Sequence, residues 1–427
     1  MLLRNHLMRV MAFAAVALLS FQAAAQDTPR PPTGTAQTAA RPAGVADPDV
    51  AIRDWRYNDP VFFWRLTSIP DDPYEPPSWF YWPNATIKGN PQAFLPQAAS
   101  GHTTISRTAL DQMAKWAGDR HTDALIVVHK GKVQLERYWD DIGPTTLLNG
   151  RAITRSVTPM VLGFAVADGK LSLDDPVSKY ISEWKTDLRG KITVRQLAQN
   201  ASGLEVAPAT PIKNVFDNKD LCLAYCGDVA RAALSYDYVR EPGTKFETAQ
   251  ENMQLLALVI ERATGTPIEE LVSRRIWQPI GGSDATFQRD RPDGKARVMC
   301  CMRATARDWT RLGILVARNG KWEGRQVLPP GWLGTMETPS ARNANFGIGL
   351  WLGTPYSPLR TYFEGQPGVV PQSEPFLADD VRIMEGGGFR VVYAVPSADL
   401  VIFRHGPTSD KWDGAYLVNA ALRGVIK

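Results

Sequence analysis

The sequence predicts an α/β protein, and three stretches carry that prediction. Residues 151–170 set Ile153, Val157, Met160, Val161, Phe164 and Ala165 at helical spacing, as in a largely buried helix. Ala124–His129 and Lys132–Tyr138 are β-prone runs around a Lys-Gly turn, which reads as a hairpin. Alternating apolar residues return over 346–352 and 391–395, residues 400–403 form a short apolar run, and 412–425 close with a helix.

Each stretch has local signals at its ends. The central helix stops at Asp168-Gly169, glycine being the residue that tolerates the left-handed conformation there. Pro159 removes a backbone donor and should bend that helix unless the first turn opens around it. Before the hairpin, residues 106–117 form a helix capped by Ser106. After the central helix, residues 252–264 are a strongly apolar helix ending at Gly265, and 267–277 begin another with Pro267 near its first turn. No internal repeat is visible.

The N-terminus combines Arg4 and Arg9, an apolar run over 10–21 and Ala-Ala-Ala-Gln at 23–26. That order predicts a secretory signal peptide over residues 1–25 and a periplasmic or secreted mature protein. Residues 26–50, rich in Pro, Ala, Thr and Gly, read as a flexible linker. Residues 51–100 form an aromatic and proline-rich arm whose rings are expected to pack on a core, with a glycan- or peptide-binding strip as the other reading. Residues 101–427 make the main domain, with 205–245 as a helical insertion.

Composition limits the function classes. An apolar fraction of 44% and a charged fraction of 22% in 427 residues are ordinary for a globular protein. Losing Arg4 and Arg9 with the signal lowers the formal charge from +4 to +2, too near neutral for a nucleic-acid partner. No later run is apolar for long enough to span a membrane. Cys222, Cys226, Cys300 and Cys301 form an even set suited to disulfides in an oxidising compartment. A link between the Cys222/Cys226 loop and the Cys300-Cys301 pair is favoured, with the other pairings open. No histidine stands near them at ligand spacing, so neither a metal nor another cofactor is expected.

The central stretch and the following L-S-L-D-D-P-V-S-K-Y (171–180) resemble the serine β-lactamase and DD-peptidase-like hydrolases. The nearest branch is that of class C β-lactamases, esterases and 6-aminohexanoate-dimer hydrolases. I-T-V-R-Q-L-A-Q-N-A-S-G-L (192–204) resembles the family segment ending in S-G-L, and the likeness covers roughly residues 100–425. It implies a β-lactamase-like antiparallel sheet sandwiched by helices, with a mostly helical second region. It also implies three motifs: S-x-x-K at the helix start, Y-x-N on a loop, and K-T-G or H-x-G on an edge strand. In that mechanism the serine attacks, and the lysine and tyrosine move its proton.

All three motifs depart from the pattern. Ala152 stands at the nucleophile and Arg155 at the lysine; Thr248 and Gln250 replace the tyrosine and asparagine. In Glu385–Pro396, counting back from the proline places Gly387 at the Lys or His and Arg390 at the family's glutamine, with Gly386 and Gly388 beside them. An alanine cannot form an acyl-enzyme, and a guanidinium stays protonated at any working pH. The favoured reading is a non-catalytic protein that binds a small-molecule or peptide-like carboxylate ligand through Ala152, Arg155, Thr248, Gln250, Gly386, Gly387, Gly388 and Arg390. The second is an active esterase, amidase or peptidase with its nucleophile moved to Ser156 or Thr248. Ser182–Lys185 matches S-x-x-K literally but lies beyond the helix, and His129 and His405 read as structural. A protein partner is left unknown.

Overall fold

The computed structural model describes residues 55, 58–69, 76–99, 101–206 and 218–426. The signal-peptide and linker expectations lie outside these residues. The described chain falls into two compact units. One combines the chain up to Asn84 with Glu205–Asp237 and Gln288–Arg297; the other holds Ala85–Leu204, Tyr238–Phe287 and Val298–Lys427.

The second unit is built on a six-stranded antiparallel sheet. In chain order its strands are β1 (Ala124–His129), β2 (Lys132–Tyr138), β3 (Trp351–Leu352), β4 (Arg382–Gly386), β5 (Arg390–Val395) and β6 (Leu400–His405). Their order across the sheet is β2-β1-β6-β5-β4-β3. The β1–β2 turn falls on Lys130 and Gly131, both at positive φ, as the sequence expects of a tight hairpin. Strands β1, β4, β5 and β6 are buried along their whole length. Helices covering both faces explain why these strands read as near-continuous apolar runs.

The covering helices are α1 (Arg107–Gly118), α2 (Thr154–Ala167), α3 (Gln250–Thr264), α4 (Ala306–Ala317) and α5 (Tyr416–Arg423). Ser106 caps α1 by accepting the Ala109 amide. On one face α1 and α5 bring Leu110, Met113, Leu417 and Val418 into a core with Leu125, Val127, Val391 and Ile402. On the other, α4 approaches so closely that a Cβ at Gly313 would lie 2.5 Å from Val392. The expected strand over 346–352 shrinks to Trp351–Leu352, because Gly349 takes a left-handed turn at φ +70° just before it. The expected helix over 267–277 divides into an α-helical turn at Ile268–Val272 and a π-type turn at Ser273–Trp277.

Helix α2 opens in a 3₁₀ turn at Arg151–Ile153 and keeps Pro159 inside it. The Trp332 indole N–H donates to the Pro159 carbonyl at 2.9 Å, and its ring lies where a Cβ on Gly163 would be 2.5 Å away. Ser156 donates to the Gly349 carbonyl at 2.6 Å. The proline turn is therefore clamped by the Trp332 side chain and by the main chain at Gly349.

The first unit packs part of the aromatic arm and leaves part exposed: Phe62, Phe80 and Tyr81 are buried, while Phe63 and Trp79 face solvent. Its buried Arg65 and Arg297 donate to the carbonyls of Tyr225, Leu223 and Cys226 at the end of the Lys219–Tyr225 helix. Here the cysteine expectation is corrected. Cys222 pairs with Cys226, one helical turn away with Cα atoms 4.7 Å apart, and Cys300 pairs with its neighbour Cys301. Helical spacing in one case and adjacency in the other satisfy the thiols locally.

At the ends of β1, β5 and β6 lies a buried polar layer. His405 Nδ1 pairs with Asp123 Oδ2 at 2.8 Å, and its Nε2 accepts from Arg390 Nε at 2.9 Å. That acceptor role places the ring proton on Nδ1, facing the carboxylate. Burial first, and the Arg390 cation second, hold His405 down to about 4 against the opposing pull of Asp123.

Two outcomes follow from this packing. Gly163→Ala drives a methyl into the Trp332 ring and should lower stability by about 1–3 kcal/mol, read as a lower urea midpoint with an unchanged slope. His405 stays neutral in the fold while the unfolded chain titrates near its ordinary value of about 6.5. Its contribution is therefore complete above pH 6.5 and is lost as pH falls toward about 4. Urea unfolding across that window should lose roughly 3 kcal/mol; a flat profile would contradict the buried neutral ring.

Candidate functional site

The site forms where the end of β4 meets the turn that starts α2. Asn149 Oδ1 accepts the Arg151 amide at 2.9 Å, and Arg151 takes the left-handed φ of +49°. This turn leaves Ala152 half-buried at the head of the helix. Gly386 closes against it: a Cβ there would collide with the Gly150 carbonyl and lie 3.0 Å from the Ala152 nitrogen. Ala152 and Gly386 are thus brought together.

Arg155, one turn on, donates its Nε to the Met299 carbonyl at 2.9 Å, and Thr154 donates its hydroxyl to the Cys300 carbonyl at 2.7 Å. The segment carrying the adjacent cysteines therefore docks on the first turn of α2. Arg155 still projects its charge onto the phenol of Tyr362. Ser156 is buried and held by Gly349, which is the packed role expected for it.

Thr248 and Gln250 sit at the entrance to α3, both half-buried. The amide and the hydroxyl of Thr248 both donate to the Tyr362 carbonyl, each at 3.0 Å. Tyr362 belongs to a strap between the short paired strands Leu359–Arg360 and Val370–Pro371. Its phenol donates to Glu385 Oε1, while Arg360 Nη2 pairs with Glu385 Oε2. Glu385 immediately precedes Gly386, so the strap joins the Thr248 loop to the strand end beside Ala152. Burial and the Glu385 carboxylate push the Tyr362 phenol well above its ordinary range, so it stays a donor. Sequence reading missed Tyr362, Arg360 and the role of Glu385, since no local pattern ties residues this far apart.

The third motif separates. Gly387 is exposed, with open space where a Cβ would stand. Gly388, at φ +84°, and Phe389, at φ +58°, make the turn between β4 and β5, whose ends pair as Gly386 with Arg390. The Arg404 guanidinium holds the Gly388 carbonyl at 2.7 Å. The expectation that Arg390 meets a ligand is corrected. Its side chain is fully buried and donates to His405 and to the Gly387 carbonyl, because both faces of β5 are covered.

The hydroxyls nearest Ala152 share one property. Thr154, Ser156 and Thr248 each donate to a fixed main-chain carbonyl, and Tyr362 donates to a carboxylate. A hydroxyl has one proton to give, so the three bonded to main-chain carbonyls are not set up to pass theirs to a base. Arg155 cannot accept one. What remains at this place is a guanidinium, small residues that admit close approach, and backbone N–H groups at a helix start, a set suited to holding an anion.

Among the described residues no helix is long and apolar enough to cross a membrane, and no cluster of His, Cys, Asp and Glu is arranged to hold a metal. The chain is similar to protein flp of Staphylococcus aureus strain MW2, 27% identical over 177 residues that cover 39% of this chain. It spans only 34% of the length of that relative. It is also similar to the 6-aminohexanoate-dimer hydrolase of Paenarthrobacter ureafaciens, 24% identical over 56% of this chain and 62% of the relative. Among solved structures, a candidate 6-aminohexanoate-dimer hydrolase of Bacillus anthracis matches with a TM-score of 0.62 at 20% identity, covering 78% of this chain and 87% of the other. A penicillin-binding protein homologue of Caulobacter crescentus matches at 0.55 and 15% identity, over 74% and 97%. At these identities the two structures speak for the fold alone. The family model described as Beta-lactamase matches residues 105–404, well over half of the sequence, and the chain belongs to the beta-lactamase family.

Proposed function

We propose that this protein is an exported, non-catalytic member of its family that binds a peptide-like ligand through a carboxylate. The supporting observation is the pairing of an oxygen-free Ala152 with a guanidinium at Arg155, surrounded by hydroxyls already committed to fixed acceptors. Export rests on the leader-like first 25 residues. The penicillin-binding and amide-hydrolysing names of its relatives point to peptide-like molecules as the ligand class. Gly387 is open beside the close Ala152–Gly386 contact, and Arg155, Thr248 and Gln250 are the residues this reading assigns to the ligand. The alternative of a relocated nucleophile at Ser156 or Thr248 has no support in the geometry, because both hydroxyls are spent on main-chain carbonyls.

Isothermal titration with N-acetyl-dialanine, as free carboxylate and as C-terminal amide, tests this reading. The carboxylate should bind and the amide should not. Arg155→Gln should weaken the carboxylate about 10–100-fold, the worth of one charge-assisted hydrogen bond. Equal binding of acid and amide, or no effect of the substitution, would sink the assignment.

A further inference from the structure

The strap that carries Tyr362 has no counterpart in the three motifs, and its contacts are concentrated on the candidate site. Four hydrogen bonds stitch it to the loop before α3: the Glu364 amide to the Phe246 carbonyl, the Phe246 amide to Glu364 Oε2, and the Thr248 amide and hydroxyl to the Tyr362 carbonyl, all at 3.0 Å. Its other anchor is Glu385, whose two oxygens take the Tyr362 phenol and the Arg360 guanidinium. The strap is further held by the Arg342–Glu364 ion pair, by the Tyr362 ring on Trp351 and by Val370 in the core. Each of its paired strands is two residues long, and Leu359 and Val369 are exposed at 49% and 43%.

Arg360, like the buried Arg65 and Arg297, leaves one guanidinium edge unused. Its side chain is 9% exposed and lies over the Trp351 ring at 4.7 Å, yet its Nε is buried with no hydrogen-bond partner among the described residues. Only Nη2 reaches Glu385. Guanidinium groups bind carboxylates best through two parallel N–H donors, and an orphaned buried donor is costly.

We infer that Glu385 is an internal stand-in for the ligand's carboxylate: it latches the strap over the site by occupying Arg360 and Tyr362, and a carboxylate-bearing ligand binds by replacing it on Arg360 through both Nε and Nη2. The exchange is reversible only if the strap lifts far enough for the displaced Glu385 carboxylate to regain solvent, which offsets the desolvation of the ligand's own carboxylate. Arg155, whose charge already reaches Tyr362, lies on the same side and would meet the remainder of an anionic ligand. This inference rests on the carboxylate-binding function proposed above and adds a gate to it.

The test uses the full-length mature protein, the same N-acetyl-dialanine probe and its amide, and the Glu385→Gln variant. This change keeps the side-chain shape and removes the competing charge. The variant should bind the carboxylate about tenfold more tightly than the parent protein, with no gain for the amide. Its Phe246, Thr248 and Glu364 amides should exchange with deuterium faster, because the strap is unlatched. Tyr362→Phe, which deletes only the hydroxyl donor, should shift both readings in the same direction by a smaller factor and serves if Glu385→Gln folds poorly. Equal affinity in parent and variants overturns the latch and leaves the carboxylate site standing. No binding by parent or variants, with unchanged exchange, overturns both.

Discussion

The closeness of one backbone contact governs the whole site. Gly386, at the end of β4, lies against the Gly150–Ala152 turn, where any side chain would strike the Gly150 carbonyl. That approach exists because both partners are held from behind. The turn is fixed by Asn149 and by the Trp309 ring against Gly150, and β4 is fixed by its full register with β5. The family scaffold needs this proximity to place a nucleophile beside its oxyanion donors. Here the proximity persists while position 152 carries only a methyl group.

What surrounds that contact has been rewired toward fixed polar pairs. In an acyl-transfer site a hydroxyl must give its proton to a base that is neutral at working pH. Here Thr154, Ser156 and Thr248 face main-chain carbonyls that cannot carry a proton onward, and Arg155 bears a permanent cation. The proposed reading takes the loss of proton transfer and the gain of anion affinity as two consequences of the same residues, because Arg155 puts positive charge in the first turn of α2, where an anion is favoured.

How much of this was legible in the sequence follows from range. The hairpin at Lys130-Gly131, the Ser106 cap and the stops at Gly169 and Gly265 are encoded within a few residues, and the structure has them where the sequence places them. The expectation that Ala152 and Arg155 stand at the family's serine and lysine rests on the same short range, since the flanking residues set the register. Arg390 was misplaced because its register position says nothing about which strand faces are covered, and β5 is covered on both. The cysteines were misjoined because compartment favours pairing without choosing partners. Tyr362 and Glu385 were invisible because Thr248, Tyr362 and Glu385 meet only after the sheet and α3 have assembled, with nothing between them of fixed spacing.

The proposed function requires that no side chain at the head of α2 act as a nucleophile. Intact-mass spectrometry of the purified protein after incubation with a fluorophosphonate and, separately, with benzylpenicillin tests this. An unmodified mass is expected in both cases. A stoichiometric adduct mapped to Thr154, Ser156, Thr248 or Tyr362 would contradict it.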